Sequence, residues 1–198
     1  MLRWRLSVLI LLALPAVLSG ADAPPAAPGG SGAVPGCLPE GNGYLRARIR
    51  GAMNLDIDWR NGELECEGGP RPDGSGVRVS FAGPPHADGR RLRLVFGVST
   101  VQEGRSGRDL PTNLTVIFEG EERVFATRGE DHCTVDELRQ DRLGELGGPK
   151  RSWRIVARGF CIAPASTLAN DARILVSRFD FAGHAVFEDE PAHAERRP

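Results

Sequence analysis

Apolar and polar residues alternate one for one through most of the chain between residues 44 and 187. In "YLRARIR", Leu45, Ala47 and Ile49 alternate with Arg46, Arg48 and Arg50; in "NLDIDW", Leu55, Ile57 and Trp59 alternate with Asp56 and Asp58. A helix would scatter those charges around its circumference, whereas a half-buried strand puts them all on one face. The same period runs through Leu64 and Cys66, Val77 to Phe81, Leu92 to Phe96 and Leu114 to Phe118. It returns in "VFAT" (124–127), "WRIVARGFCI" (153–162), "ARILVSRFDF" (172–181) and "HAVF" (184–187).

Turn-forming runs separate these segments: "RNG" (60–62), "RPDGSG" (71–76), "GPPHADG" (83–89) and "EGEE" (119–122). Asn-Gly and Asp-Gly suit tight hairpins because both residue types tolerate positive φ. About ten short strands with almost no helical period predict an all-β fold, an antiparallel β-sandwich or squat barrel spanning 37–187 as one domain. Short connections and clean alternation favour antiparallel pairing, since buried parallel strands read as continuous apolar runs. Trp59, Trp153 and most of the phenylalanines are expected to fill the core.

The flanks read differently. "MLRWRLSVLILLALPAVLSGADA" has a basic start, a short apolar stretch and small residues, the layout of a signal peptide over 1–21 with the cut before Asp22. Its apolar stretch falls short of the roughly 20 residues a membrane span needs, and no second candidate follows it. Residues 22–36 read as a flexible Pro/Gly/Ala-rich tether, and 188–198 as a disordered tail. Arg3 and Arg5 fall in the leader, so 25 Lys+Arg and 26 Asp+Glu leave a net charge of −3 on the remainder. That balance points away from nucleic acid and from anionic membrane surfaces. Lys150 is the sole lysine among many arginines, glycines and prolines, a bias associated with GC-rich bacterial genomes. The expected address is the periplasm or the medium.

Export changes how the cysteines are read. Cys37, Cys66, Cys133 and Cys161 are four in number, and an oxidising compartment favours disulfides. Their spacing suggests Cys37–Cys66 and Cys133–Cys161. Zinc sites take ligand pairs a few residues apart, and redox sites take Cys-x-x-Cys; neither pattern occurs.

Candidate chemistry concentrates in "TRGEDHCTVDEL" (127–138). The alternation places Glu130, Asp131 and His132 on a hairpin turn, with Cys133 pointing inward at the start of the return strand. A helix start capped by Thr134 with Glu137 is the alternative. Metal binding would need three or four converging ligands, which consecutive residues on a strand tip do not supply. Cys133 as a nucleophile conflicts with its oxidation, and His132 as an acid or base needs a partner that the sequence does not identify.

The longest loop, "STVQEGRSGRDLPT" (99–112), contains two glycines that would make it mobile. It carries Arg105, Arg108 and Asp109, which could clasp a carboxylate or sugar acid. The row Arg46, Arg48, Arg50 is expected to be neutralised by Asp56 and Asp58 across a strand pair. "GELGGPK" (144–150) fails as a phosphate loop because Pro149 has no N–H to offer. "NLT" (113–115) is a glycosylation sequon inside an expected strand.

These features predict an exported, non-enzymatic β-sandwich that needs no cofactor and binds a partner protein, envelope component or glycan through its loops. The alternative is an envelope-polymer hydrolase using His132 with neighbouring carboxylates. A weaker third is calcium-dependent adhesion.

Overall fold

The computed structural model describes residues 36–121, 123–145, 149–167 and 171–188. The leader, nearly all of the tether and residues 189–198 lie outside the described residues. The strands are β1 (Tyr44–Gly51), β2 (Leu55–Arg60), β3 (Glu65–Pro70), β4 (Gly76–Ala82), β5 (Arg91–Ser99) and β6 (Gly107–Glu119), then β7 (Arg123–Ala126), β8 (Cys133–Glu145), β9 (Lys150–Cys161), β10 (Ala165–Thr167) and β11 (Arg173–Glu188). Every pairing is antiparallel, and among the described residues there is no α-helix. The all-β, disulfide-braced architecture is therefore the one the alternation predicts. Leu45, Ala47 and Ile49 of β1 are buried while Arg46 and Arg48 are exposed.

Two long strands organise the sheet. One edge of β11 takes β1 along 174–182; its other edge takes β9 along 179–188 and β10 along 173–174. One edge of β6 takes β5 along 112–119; its other edge takes β8 along 107–112 and β7 along 115–118. Between β6 and β11 the sheet divides, with β8–β9 at one end and β7–β10 at the other. β3 closes back onto β11. A Cβ on Gly68 or Gly69 would lie 2.7 Å from the His184 carbonyl oxygen or 2.9 Å from that of Val186, so only glycine permits this approach.

The core sits where the layers face each other. Phe96 lies 4.7 Å from Phe179 and 4.8 Å from Phe181, and Phe81 lies 5.0 Å from Phe181, ring centre to ring centre. Tilted aromatic pairs of this kind add about 0.5–1.5 kcal/mol each beyond area burial. Cys133 and Cys161 are direct cross-strand partners in β8 and β9 and form a disulfide, as do Cys37 and Cys66.

Three expectations need correction. "RNG" does not form a hairpin: β2 and β3 are not paired, and the chain crosses from one end of the sheet to the other through a 3-10 turn at Asn61–Glu63. Asn61 is buried, and its Oδ1 accepts from the N–H groups of Leu38 (2.8 Å) and Gly43 (3.0 Å). The turn residues thus hold the N-terminal segment in place of a tight hairpin. "TRGED" is not a hairpin either. β7 and β8 run end to end along the same edge of β6, and the intervening backbone stays bonded to β6, Thr112 N–H donating to the Glu130 carbonyl and Thr127 N–H to that of Leu114. Finally, Trp59 and Trp153 are only half-buried. The indole N–H of Trp153 needs an acceptor and finds one at the surface, in Glu103 at 2.8 Å.

Candidate functional site

A cleft of about 640 Å³ lies at the end of the body where the β1–β2 connection faces the 83–90 loop and the β6–β7 turn. Met53, Leu55 and Trp59 form one wall, and Pro84, Leu92 and Phe118 line the opposite side. Alternation explains the first wall: Leu55, Ile57 and Trp59 share the inward face of β2, and only Ile57 is fully covered. Trp59 lies so close over Gly83 that a Cβ there would meet its ring at 2.4 Å.

The rim is charged but internally compensated. Arg90 bridges Asp88 (2.6 Å) and Glu121 (2.9 Å), and Glu121 also takes Arg123 at 2.9 Å. The Arg123 guanidinium stands 3.8 Å above the Phe118 ring. Glu119 accepts from both Arg91 and Arg93. Burial opposes ionisation of Glu119, yet those two guanidiniums outweigh it and hold the carboxyl below its ordinary value. Asp88 is likewise held low, first by the Arg90 backbone N–H and then by its side chain. Each of these carboxylates is taken by arginine. The cleft offers apolar contact ringed by fixed charge.

The residues singled out from sequence lie elsewhere. Glu130 accepts from Arg71, whose side chain is only 9% exposed and also reaches Ser99 Oγ (2.7 Å), the Gly97 carbonyl (3.2 Å) and Asp73 (3.0 Å). Its work is to tie the β3–β4 turn to the segment between β7 and β8. Asp131 projects into solvent, and His132 Nε2 stands 3.8 Å from its carboxylate. Asp136 is exposed, and Glu137 pairs with Arg158 at 2.9 Å. Among the described residues no three His, Cys, Asp or Glu side chains converge as metal ligands. Cys133 is oxidised, so it has no thiol to act as a nucleophile.

The 99–112 stretch is not one loop. From Gly107 it belongs to β6, and its first half is pinned by Gln140, whose amide donates to the carbonyls of Gln102 (2.7 Å) and Arg105 (2.8 Å) and accepts from Gly104 N–H (3.1 Å). Glu103 takes Arg151 through two bonds, at 2.7 and 2.9 Å. Those bonds, and then the one from Trp153, hold the Glu103 carboxyl below its ordinary value against the opposing effect of burial. Arg105 is exposed, Arg108 faces Glu137 across the β6–β8 ladder, and Asp109 sits at φ 51°. None of the three lines the cleft. Asn113 of the sequon is half-buried in β6, with its side chain over Gly97.

Two arrangements go beyond what the sequence signalled. Ser152 Oγ lies 2.6 Å from His184 Nε2, and burial pushes this imidazole down. The pair resembles a nucleophile and its base, but it does not line the Trp59 cleft, and among the described residues no carboxylate bonds to the ring. The second is a row of alternating charge across six strands: Asp58, Arg46, Asp180, Arg158, Glu137 and Arg108, each the direct cross-strand neighbour of the next. Arg46 and Arg48 meet Asp58 (3.1 Å) and Asp56 (3.3 Å), the neutralisation expected for that basic row.

Comparison with protein-family models, curated proteins and solved structures finds no match to this chain. What the site does must be read from its own chemistry.

Proposed function

We propose that this protein is an exported, non-enzymatic binding module that takes an apolar segment of a partner protein into the Trp59 cleft. The observation that carries this is the cleft itself: an apolar floor open to solvent, with rim carboxylates neutralised by arginines. Open apolar concavities ringed by polar groups are the usual form of a recognition site. Two disulfides suit an oxidising compartment, consistent with the basic-apolar-small leader pattern. We rank the hydrolase alternative second, because Glu130 is committed to Arg71 and the Asp131 carboxylate stands 3.8 Å from His132 Nε2, beyond hydrogen-bonding distance.

The test compares residues 22–198 with a Met53→Glu variant in affinity capture from an envelope extract, read by mass spectrometry. Met53 is half-buried at the cleft, so the charge spoils the floor without entering the core. A partner captured by the native protein and lost with the variant, at unchanged melting temperature, supports the cleft. Equal capture by both sinks it. N-terminal sequencing of the exported protein should begin at Asp22.

A further inference from the structure

We infer that the free edge of β2 accepts an extended segment of the partner as an additional antiparallel strand, one in which apolar residues alternate with lysine or arginine. The inference rests on the Trp59 cleft being the ligand site and specifies what enters it.

The two ends of the sheet differ. β3 is closed against β11 by the glycine approach described above. β2 pairs only with β1, and among the described residues no strand lies on its other side. The neighbouring 83–90 loop makes its backbone bonds to Leu92 and within itself, and meets β2 through the Trp59 ring over Gly83. An exposed edge of this kind presents unpaired N–H and C=O groups to an incoming chain.

The faces of β2 set the partner's pattern. Inward, Leu55 and Trp59 are incompletely covered and form a cleft wall, so the added strand's apolar residues would extend that wall. Outward, Asp56 and Asp58 are 65% and 63% exposed; Asp56 is taken by Arg48 and, through both oxygens, by Arg50, whereas Asp58 is bonded to Arg46 through Oδ1 alone and keeps Oδ2 for a further cation. Cross-strand neighbours on that face should therefore be basic. β1 already demonstrates the match from the opposite side, with Arg46 against Asp58 and Arg48 against Asp56. A second copy of β2 fits poorly: antiparallel self-pairing centred on Ile57 would set Asp56 of each copy against Asp58 of the other, and like charges directly opposite are unfavourable. The aspartates thus discourage self-association while selecting a basic strand.

The experiment uses two labelled peptides of about ten residues, one alternating Val with Lys and one alternating Val with Glu, titrated by fluorescence anisotropy against residues 22–198. The Lys peptide should bind and weaken with added salt, and the Glu peptide should not bind. Asp56→Lys/Asp58→Lys should weaken the Lys peptide by about tenfold, because both cross-strand pairs turn repulsive. That variant also unpairs the arginines of β1, so hydrogen exchange on the native protein gives an independent readout. Bound Lys peptide should slow amide exchange in 55–60 and leave the β3 edge unchanged. Equal binding of both peptides, no protection at 55–60, or a salt-dependent dimer of the native protein through β2 would each overturn the inference. If Met53→Glu abolishes partner capture while the double aspartate variant does not, the edge fails and the cleft stands; if neither matters, both fail.

Discussion

Removing the Cys133–Cys161 bridge with Cys133→Ala/Cys161→Ala should cost about 3.5 kcal/mol. The bridge closes a loop with a sequence separation of 28. Constraining such a loop in the unfolded chain removes about 12 cal/mol/K of entropy, which at room temperature gives that figure. The native side adds little, since Cys133 and Cys161 are already cross-strand partners and the ladder holds them together without the sulfurs. A domain of this size has about 5–15 kcal/mol in total, so the loss would be a large fraction of it. The assay is urea unfolding of both proteins under non-reducing conditions, comparing midpoint and slope. A lower midpoint is expected, and a steeper slope too if the freed chain expands. A variant within about 1 kcal/mol of the native protein would refute the assumption that the unfolded chain lacks structure across this hairpin.

Replacing Arg71 by Met should lower the melting temperature by roughly 4–8 °C, equivalent to about 2 kcal/mol; its four acceptors, Glu130 among them, would lose their donor, and an unchanged melt would contradict that role. Glu103 carries a lowered carboxyl in the folded state, so its contribution is present above the ordinary value of 4.5 and is lost as the pH falls below it. Glu103→Gln should therefore be less stable at neutral pH and lose less on acidification, measured by thermal melts across that range; parallel pH profiles for the two proteins would show that Glu103 contributes nothing through its charge.

How much of this was legible along the chain depends on the range over which each feature is decided. Successive strand residues point to opposite faces, so Leu45 against Arg46 and Ile57 against Asp58 announce both the strand and its buried side from the nearest neighbours alone. The disulfide partners were also within reach, because an even set of cysteines at matching separations leaves few economical pairings. The division of the sheet was not. "TRGED" has hairpin chemistry, yet whether a chain reverses there or continues along β6 depends on which backbone groups wait beside it, and those belong to Thr112 and Leu114.

Sequence by itself therefore determined the all-β class, the buried face of the strands whose alternation it displays and the covalent staples, all of which follow from local stereochemistry or from cysteine number. Tertiary structure alone decided that Glu130 serves Arg71, 59 positions away, and that Glu103 serves Arg151 and Trp153. It also assembled the cleft from Met53, Leu55, Trp59, Leu92 and Phe118, residues drawn from separate segments. Apart from Met53, which lies in the β1–β2 connection, each is an ordinary apolar strand position. Only the closure of distant layers onto one another leaves Met53, Leu55, Trp59 and Phe118 incompletely covered beside the buried Leu92.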